Sequence, residues 1–199
     1  MHWRDPFAEF FHAHKGCLRA YYSYEREGHR PRWYPSYGFV LQFLQTAEAN
    51  YASANVNILP EVGAAQQWIA DAHPDTIAAA GVDEAGIAVG TGTTAEANAN
   101  RDLVTKITHG VGVGQLSYGS MAFVSAAITG ANVDLVFTRP FTNSSGADIT
   151  VQEIGIFAGE ATPAPTTATN ALICRDLTGA ITHANTTTRT GQYTWRTTV

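Results

Sequence analysis

The chain is short of charge. Only 15% of its 199 residues are Asp, Glu, Lys or Arg, against about a quarter in an average soluble domain. Disordered chains err the other way, so this scarcity predicts a folded chain, part of whose surface partners cover. Cysteine is nearly absent. Cys17 and Cys174 stand far apart, neither with a second Cys nearby. That pattern excludes a disulfide framework and leaves single buried thiols. No apolar run reaches the length of a membrane helix, and the start from Met1 to Pro6 opens no signal-peptide core. A chain made in a cytoplasm and staying soluble, away from membranes, is expected.

Motifs that carry chemistry are missing too. His12 and His14 form the one close histidine pair. On a helix their rings point to different faces, and only on a strand could they share a metal, with Cys17 near. His73, His109 and His183 are isolated and read as turn or surface residues. The glycines of Gly90-Thr91-Gly92 and Gly110-Val111-Gly112-Val113-Gly114 lack the Lys-Ser/Thr of a phosphate loop, so they read as turns or bulges. No nucleophile elbow and no EF-hand spacing occurs. The acids Asp71, Asp75, Asp83, Glu84 and Glu96 are scattered, and sequence does not place two of them across one cleft. No catalytic residue, cofactor or metal site is therefore assigned, and a non-enzymatic role is expected.

What is present falls into two textures, residues 1–85 and 86–199. In the first, Trp3, Phe7, Phe10, Phe11 and His14 recur at three- and four-residue steps, which predicts a helix. Phe39, Val40, Phe43, Leu44, Ala47 and Tyr51 predict a second. Val62, Ala65, Trp68 or Ile69, and Ala72 predict a short third after Pro60. Gly28, Pro31 and Pro35 punctuate a loop between the first two. Residues 1–35 hold six Lys/Arg against four acids, while the remainder holds six against thirteen. Such a weakly basic aromatic arm reads as a protein-docking element, with Trp3, Phe7, Phe10, Phe11, Trp33 and Tyr34 as the partner-binding side chains. Its charge is too small for a nucleic-acid footprint.

From Gly86 onward, stretches rich in Val, Ile, Thr, Phe and Tyr alternate with Gly, Asn, Ser and Pro clusters. Strands are predicted at 87–89, 103–108, 115–129, 133–141, 149–157, 171–176, 180–183 and 192–199. The expected fold is mainly β, an antiparallel sandwich or barrel-like module with an N-terminal helical and extended arm. Its expected core comprises Leu116, Phe123, Val133, Leu135, Phe137, Ile149, Val151, Ile154, Ile156, Leu172 and Trp195. Asn143-Ser144-Ser145-Gly146 is a turn signal. Ile149 and Val151 share one parity, Ile154 and Ile156 the other, which predicts a β-bulge near Gln152–Glu153 or a run buried on both faces. Glu153, inside that run, calls for a basic partner, Arg139 or Arg175. The rival reading of Glu153 is a catalytic acid.

The succession Val89-Gly90-Thr91-Gly92-Thr93-Thr94, Gly112-Val113-Gly114-Gln115-Leu116 and Asn143 to Phe157, closed by Leu172-Ile173-Cys174-Arg175-Asp176, Ile181-Thr182 and Tyr193-Thr194-Trp195, resembles a module of tailed-bacteriophage structural proteins. The resemblance covers residues 86–199 and brings no catalytic residue. It implies a virion component of the head-decoration, fibre or tail type, commonly a homo-oligomer packed against other virion proteins such as major capsid or tail proteins. Capsid decoration is the expected role, with a tail, connector or fibre-adaptor protein as the alternative. A host-glycan-binding module using exposed Trp195 or Trp68 and a wall hydrolase using Glu153 are the rivals from other classes.

Overall fold

A computed structural model describes residues 19–24, 34–36, 56–58, 66–68, 73–161 and 170–198. Among them the regular structure is all strand. In chain order the strands are β1 (Arg19–Tyr24), β2 (Tyr34–Ser36), β3 (Val56–Ile58), β4 (Gln66–Trp68), β5 (His73–Asp75), β6 (Gly86–Gly90), β7 (Ser117–Tyr118), β8 (Ala122–Thr129), β9 (Asn132–Thr142), β10 (Ile149–Ala161), β11 (Asn170–His183) and β12 (Thr188–Thr198). They form two antiparallel sheets and a separate β3–β4 ribbon. The larger sheet runs β2-β1-β12-β9, and the far edge of β9 is shared by β7 and β8. In the smaller sheet β10 has β11 on one edge and both β5 and β6 on the other.

The β9–β12 ladder is the spine of the larger sheet, running from Thr142↔Thr188 to Asn132↔Thr198. Period-two alternation sends Phe137, Arg139 and Phe141 inward, where all three are buried, while Thr138, Pro140 and Thr142 stay partly exposed. The two sheets meet closely at Gly191. A Cβ there would stand 3.0 Å from the Phe141 ring, 3.3 Å from Ile154 Cδ1 and 3.5 Å from Ile87 Cγ2. Burying each such large apolar side chain contributes about 1.5–3 kcal/mol. Tyrosine hydroxyls stitch the layers. Tyr193 donates toward the Ile154 carbonyl (3.2 Å) and Asp176 Oδ2 (3.0 Å), and Tyr22 donates to the Leu177 carbonyl at 2.7 Å. Tyr22 and Tyr24 reach this core from β1, so a strand from before residue 86 is integral to the larger sheet.

Of the two readings of the parity change in 149–157, two-sided burial is the one found; the ladder is irregular at the same place, but on the partner strand. The β10–β11 register shifts between Val151 and Glu153, and the extra residues lie on β11 around Gly179, whose φ is +64°. Beyond it, Glu153 to Ala158 are buried on both faces, because the segment 91–107 lies across the outer side. The Asn143–Gly146 turn forms as predicted. The Asn143 side chain accepts from Ser145 N–H and donates to the Ala147 and His183 carbonyls, and Gly146 has φ +87°.

Four expectations change. The strand predicted over 103–108 makes one isolated bridge, Gly90↔Lys106, because Glu153 takes the N–H groups of Val104 and Thr105. The strand predicted over 115–129 divides into β7 and β8, with Gly119 and Met121 bonded to the Pro140 and Ala78 carbonyls between them. The strands predicted over 171–176 and 180–183 are one, β11, since Gly179 lets the chain bulge without leaving the ladder. The helix predicted from Val62 to Ala72 is not formed across Gln66–Trp68, which pairs with β3 instead, so cross-strand bonding overrides the helical spacing. The two other predicted helices lie outside the described residues. Of the expected core, Phe123 is exposed and Val133, Leu135 and Trp195 are only partly buried.

Candidate functional site

Two buried arginines organise the polar interior, and neither opens to solvent. Arg175 sits in β11 opposite Gly155, diagonal to Glu153 in β10, its Nε 2.8 Å from Glu153 Oε2, both side chains fully buried. The same carboxylate accepts N–H bonds from Gly92 (3.0 Å), Val104 (3.0 Å) and Thr105 (2.8 Å). The rest of the guanidinium donates to the Thr94 and Ala95 carbonyls and to Asn100 Oδ1. This centre holds the segment 91–105 against the outer face of the smaller sheet. Its glycines follow from the same geometry. A Cβ on Gly90 or on Gly92 would lie 2.4 Å from Glu153 Oε1, so only glycine lets the backbone come this near the carboxylate. Of the two candidate partners for Glu153, Arg175 is the one used. With four donors and no exposed surface, Glu153 is placed as a structural anion.

Arg139 has no carboxylate among its contacts. Its guanidinium donates to five carbonyls, those of Gly119, Ala85, Ile87, Ala79 and Val82. It also lies 4.8 Å from the centroid of the Tyr118 ring, a cation–π contact in a dry setting. Burial pulls its pKa down to about 10, with Tyr118 and Asp83 working the other way. The charge therefore ties the turn 79–87 and the loop after β7 to β9. The Tyr118 hydroxyl, pushed up by burial, donates to the Ile107 carbonyl at 2.5 Å and adds the outer segment to the same knot.

At the opposite end, His183 Nδ1 lies 2.7 Å from the Tyr24 hydroxyl and Nε2 lies 3.1 Å from the Thr187 carbonyl. Neutral imidazole satisfies both, accepting from Tyr24 and donating to Thr187. Burial lowers the pKa of His183, and nearby Arg189 adds to that, against the Thr187 contact.

Of the partner-binding residues expected from sequence, Tyr34 is described. It is partly buried in β2 and stacks on Tyr22 at 5.6 Å between centroids, within the chain's own core. Trp3, Phe7, Phe10, Phe11 and Trp33 lie outside the described residues, as do His12, His14 and Cys17. Trp195, a candidate sugar platform, packs edge-on against Phe137 at 5.1 Å. The Trp68 side chain is outside the description. Among the described residues no three His, Cys, Asp or Glu gather as a metal site requires, and no helix is long and apolar enough to cross a membrane.

The surface feature that sequence reasoning missed is apolar. Phe123, Val124 and Ile128 on β8 are exposed, as are Val111 and Val113 at the tip of the Gly-Val-Gly-Val-Gly loop. The signal was available: from Gly110 to Val133 no residue carries a charge. The chain matches no family model, no curated protein and no solved structure.

Proposed function

We propose that the chain is a structural component of a tailed-bacteriophage virion, a capsid decoration or minor capsid protein that acts by packing against copies of itself and other virion proteins. On this reading the two sheets are the layers of a β-sandwich, the chain resides in the virion, and it performs no catalysis. The observation that carries the reading is where the resembling segments go. Val89–Thr94, the strand through Glu153 and the strand through Arg175 converge on one buried ion pair. The residues that give the sequence its likeness are thus structural ones, as expected of a module whose use is assembly. The apolar, uncharged stretch from Gly110 to Val133 supplies surface of the kind that protein interfaces bury at their centres.

The test is to count the chain in purified particles by quantitative mass spectrometry. A copy number that scales with the capsomers supports decoration. A single ring's worth points to the tail or connector instead. Absence from particles rejects the virion role.

A further inference from the structure

Burial of the larger sheet falls off toward one end. On β9 the inward residues Phe137, Arg139 and Phe141 are buried, but Val133 and Leu135 only partly so. Beside that outer stretch lies β8, an edge strand whose ladder partner among the described residues is β9 alone. The pairings Phe123↔Phe137 and Ile128↔Val133 carry the core face out onto this edge. There Phe123 is 54% exposed and Ile128 81%, while Val124, paired with Val136 on the opposite face, is 60% exposed.

Soluble proteins protect such edges with lysines, prolines, bulges, very short strands or a covering segment. Residues 122–129 hold no charge and no proline, eight residues is not a short strand, and the one interruption is a register shift between Val124 and Ala127. We propose that β8 is a self-association edge, which pairs antiparallel with β8 of a second copy about a two-fold axis and joins the two larger sheets into one.

Charge and area both favour a second copy. The chain has a formal charge of −5, so two copies repel over most of their surfaces. This end is the exception. It is uncharged as far as Asp134, and Asp134 is neutralised by Arg196 through two contacts of 2.6 Å. An antiparallel edge is self-complementary about a two-fold, so an uncharged strand meets its own copy without a mismatched group. Phe123, Val124 and Ile128 expose roughly 350 Å² per copy; with the edge backbone and the alanines of β8, a pair buries on the order of 1,000 Å² in total, the low end for a specific interface. A reversible dimer is expected of an interface of this size. The inference deepens the structural role proposed above, and rests on that role for its biological use.

The test is sedimentation equilibrium on the purified full chain, the V124K/I128K double variant and V113K as control. Val113 is 88% exposed but lies off β8. Wild type and V113K are expected to dimerise alike. V124K/I128K is expected to be monomeric, with its dissociation constant raised at least tenfold and an unchanged thermal midpoint confirming that it folds. A monomeric wild type at high concentration, or a double variant that associates like wild type, would overturn the proposal. A monomer that is nonetheless counted in particles sinks the self-pairing and leaves the virion role. A dimer sensitive to V124K/I128K but absent from particles supports the self-pairing and sinks the virion role.

Discussion

The two ends of the larger sheet are built from the same strands and differ in what covers them. At one end, β9 and β12 face Ile154 and Ile87 across the core, and Arg139 and Glu153–Arg175 fasten the surrounding loops. At the other, the same two strands carry Val133, Leu135 and Trp195, only partly buried, with β8 exposed beside them. The difference is one of satisfaction. At the closed end the charges of Arg139, Arg175 and Glu153 find their partners within the chain. At the open end Phe123, Val124 and Ile128 are exposed, and β8 has a ladder partner on one side among the described residues. The closed end should govern folding, and the open end should govern association.

The largest effect is expected at Arg139. Arg139→Met leaves five carbonyls, that of Ile87 buried and the other four partly so, short of a donor and should cost about 3–5 kcal/mol or prevent folding, read by urea denaturation. A loss below about 1 kcal/mol would mean that the cage does not fasten the turn 79–87. Glu153→Gln comes next. It leaves Arg175 buried without its anion and should cost about 3 kcal/mol, whereas adding Arg175→Met to it should recover part of that loss. Hydrogen exchange in the double variant should then show the segment 91–105 released while β10 and β11 stay protected.

Two titrations sharpen the picture with opposite signs. Burial lowers the pKa of His183 below its ordinary 6.5, so the unfolded chain takes up that proton first. The stability tied to neutral His183 is complete above pH 6.5 and is lost as pH falls toward the folded value. His183→Gln should flatten the fall in thermal midpoint on acidification. Burial pushes the Asp102 carboxyl up to about 6, with Glu153 also raising it, against the Leu103 N–H and Arg101. Here the folded chain holds the proton more tightly, so stability declines as pH rises from about 4 to 6 and stays reduced above. Asp102→Asn keeps the acceptor for Leu103 and should raise stability at pH 7.5 by ~1 kcal/mol, a figure discounted for its partial exposure. That gain should vanish below pH 4. The smallest effect on folding belongs to the open end, where V124K/I128K should leave stability within ~0.5 kcal/mol of wild type.

Local pattern made the closed end legible in sequence. Alternation in 133–141 located β9, the parity change after Val151 marked where β10 becomes buried on both faces, and the misplaced charge of Glu153 announced a buried basic partner. Less legible was anything decided by distant contacts. Arg139 falls on the inward parity of β9, yet a cage of five carbonyls from 79–119 is invisible without the fold. Phe123 sits on the core-facing parity, but sequence does not reveal that this end of the sheet is left exposed. The helical spacing of 62–72 gave no hint of the Val56–Ile58 strand that pairs with Gln66–Trp68.

Amide hydrogen exchange on the intact chain, followed across protein concentration, tests the contrast between the two ends most directly. The expected result is strong protection in β10 and β11 at every concentration. The β8 amides should exchange quickly in dilute solution and become protected as concentration rises. Protection of β8 equal to that of β10 at the lowest concentration, or β8 exchange that never slows at the highest, would contradict it.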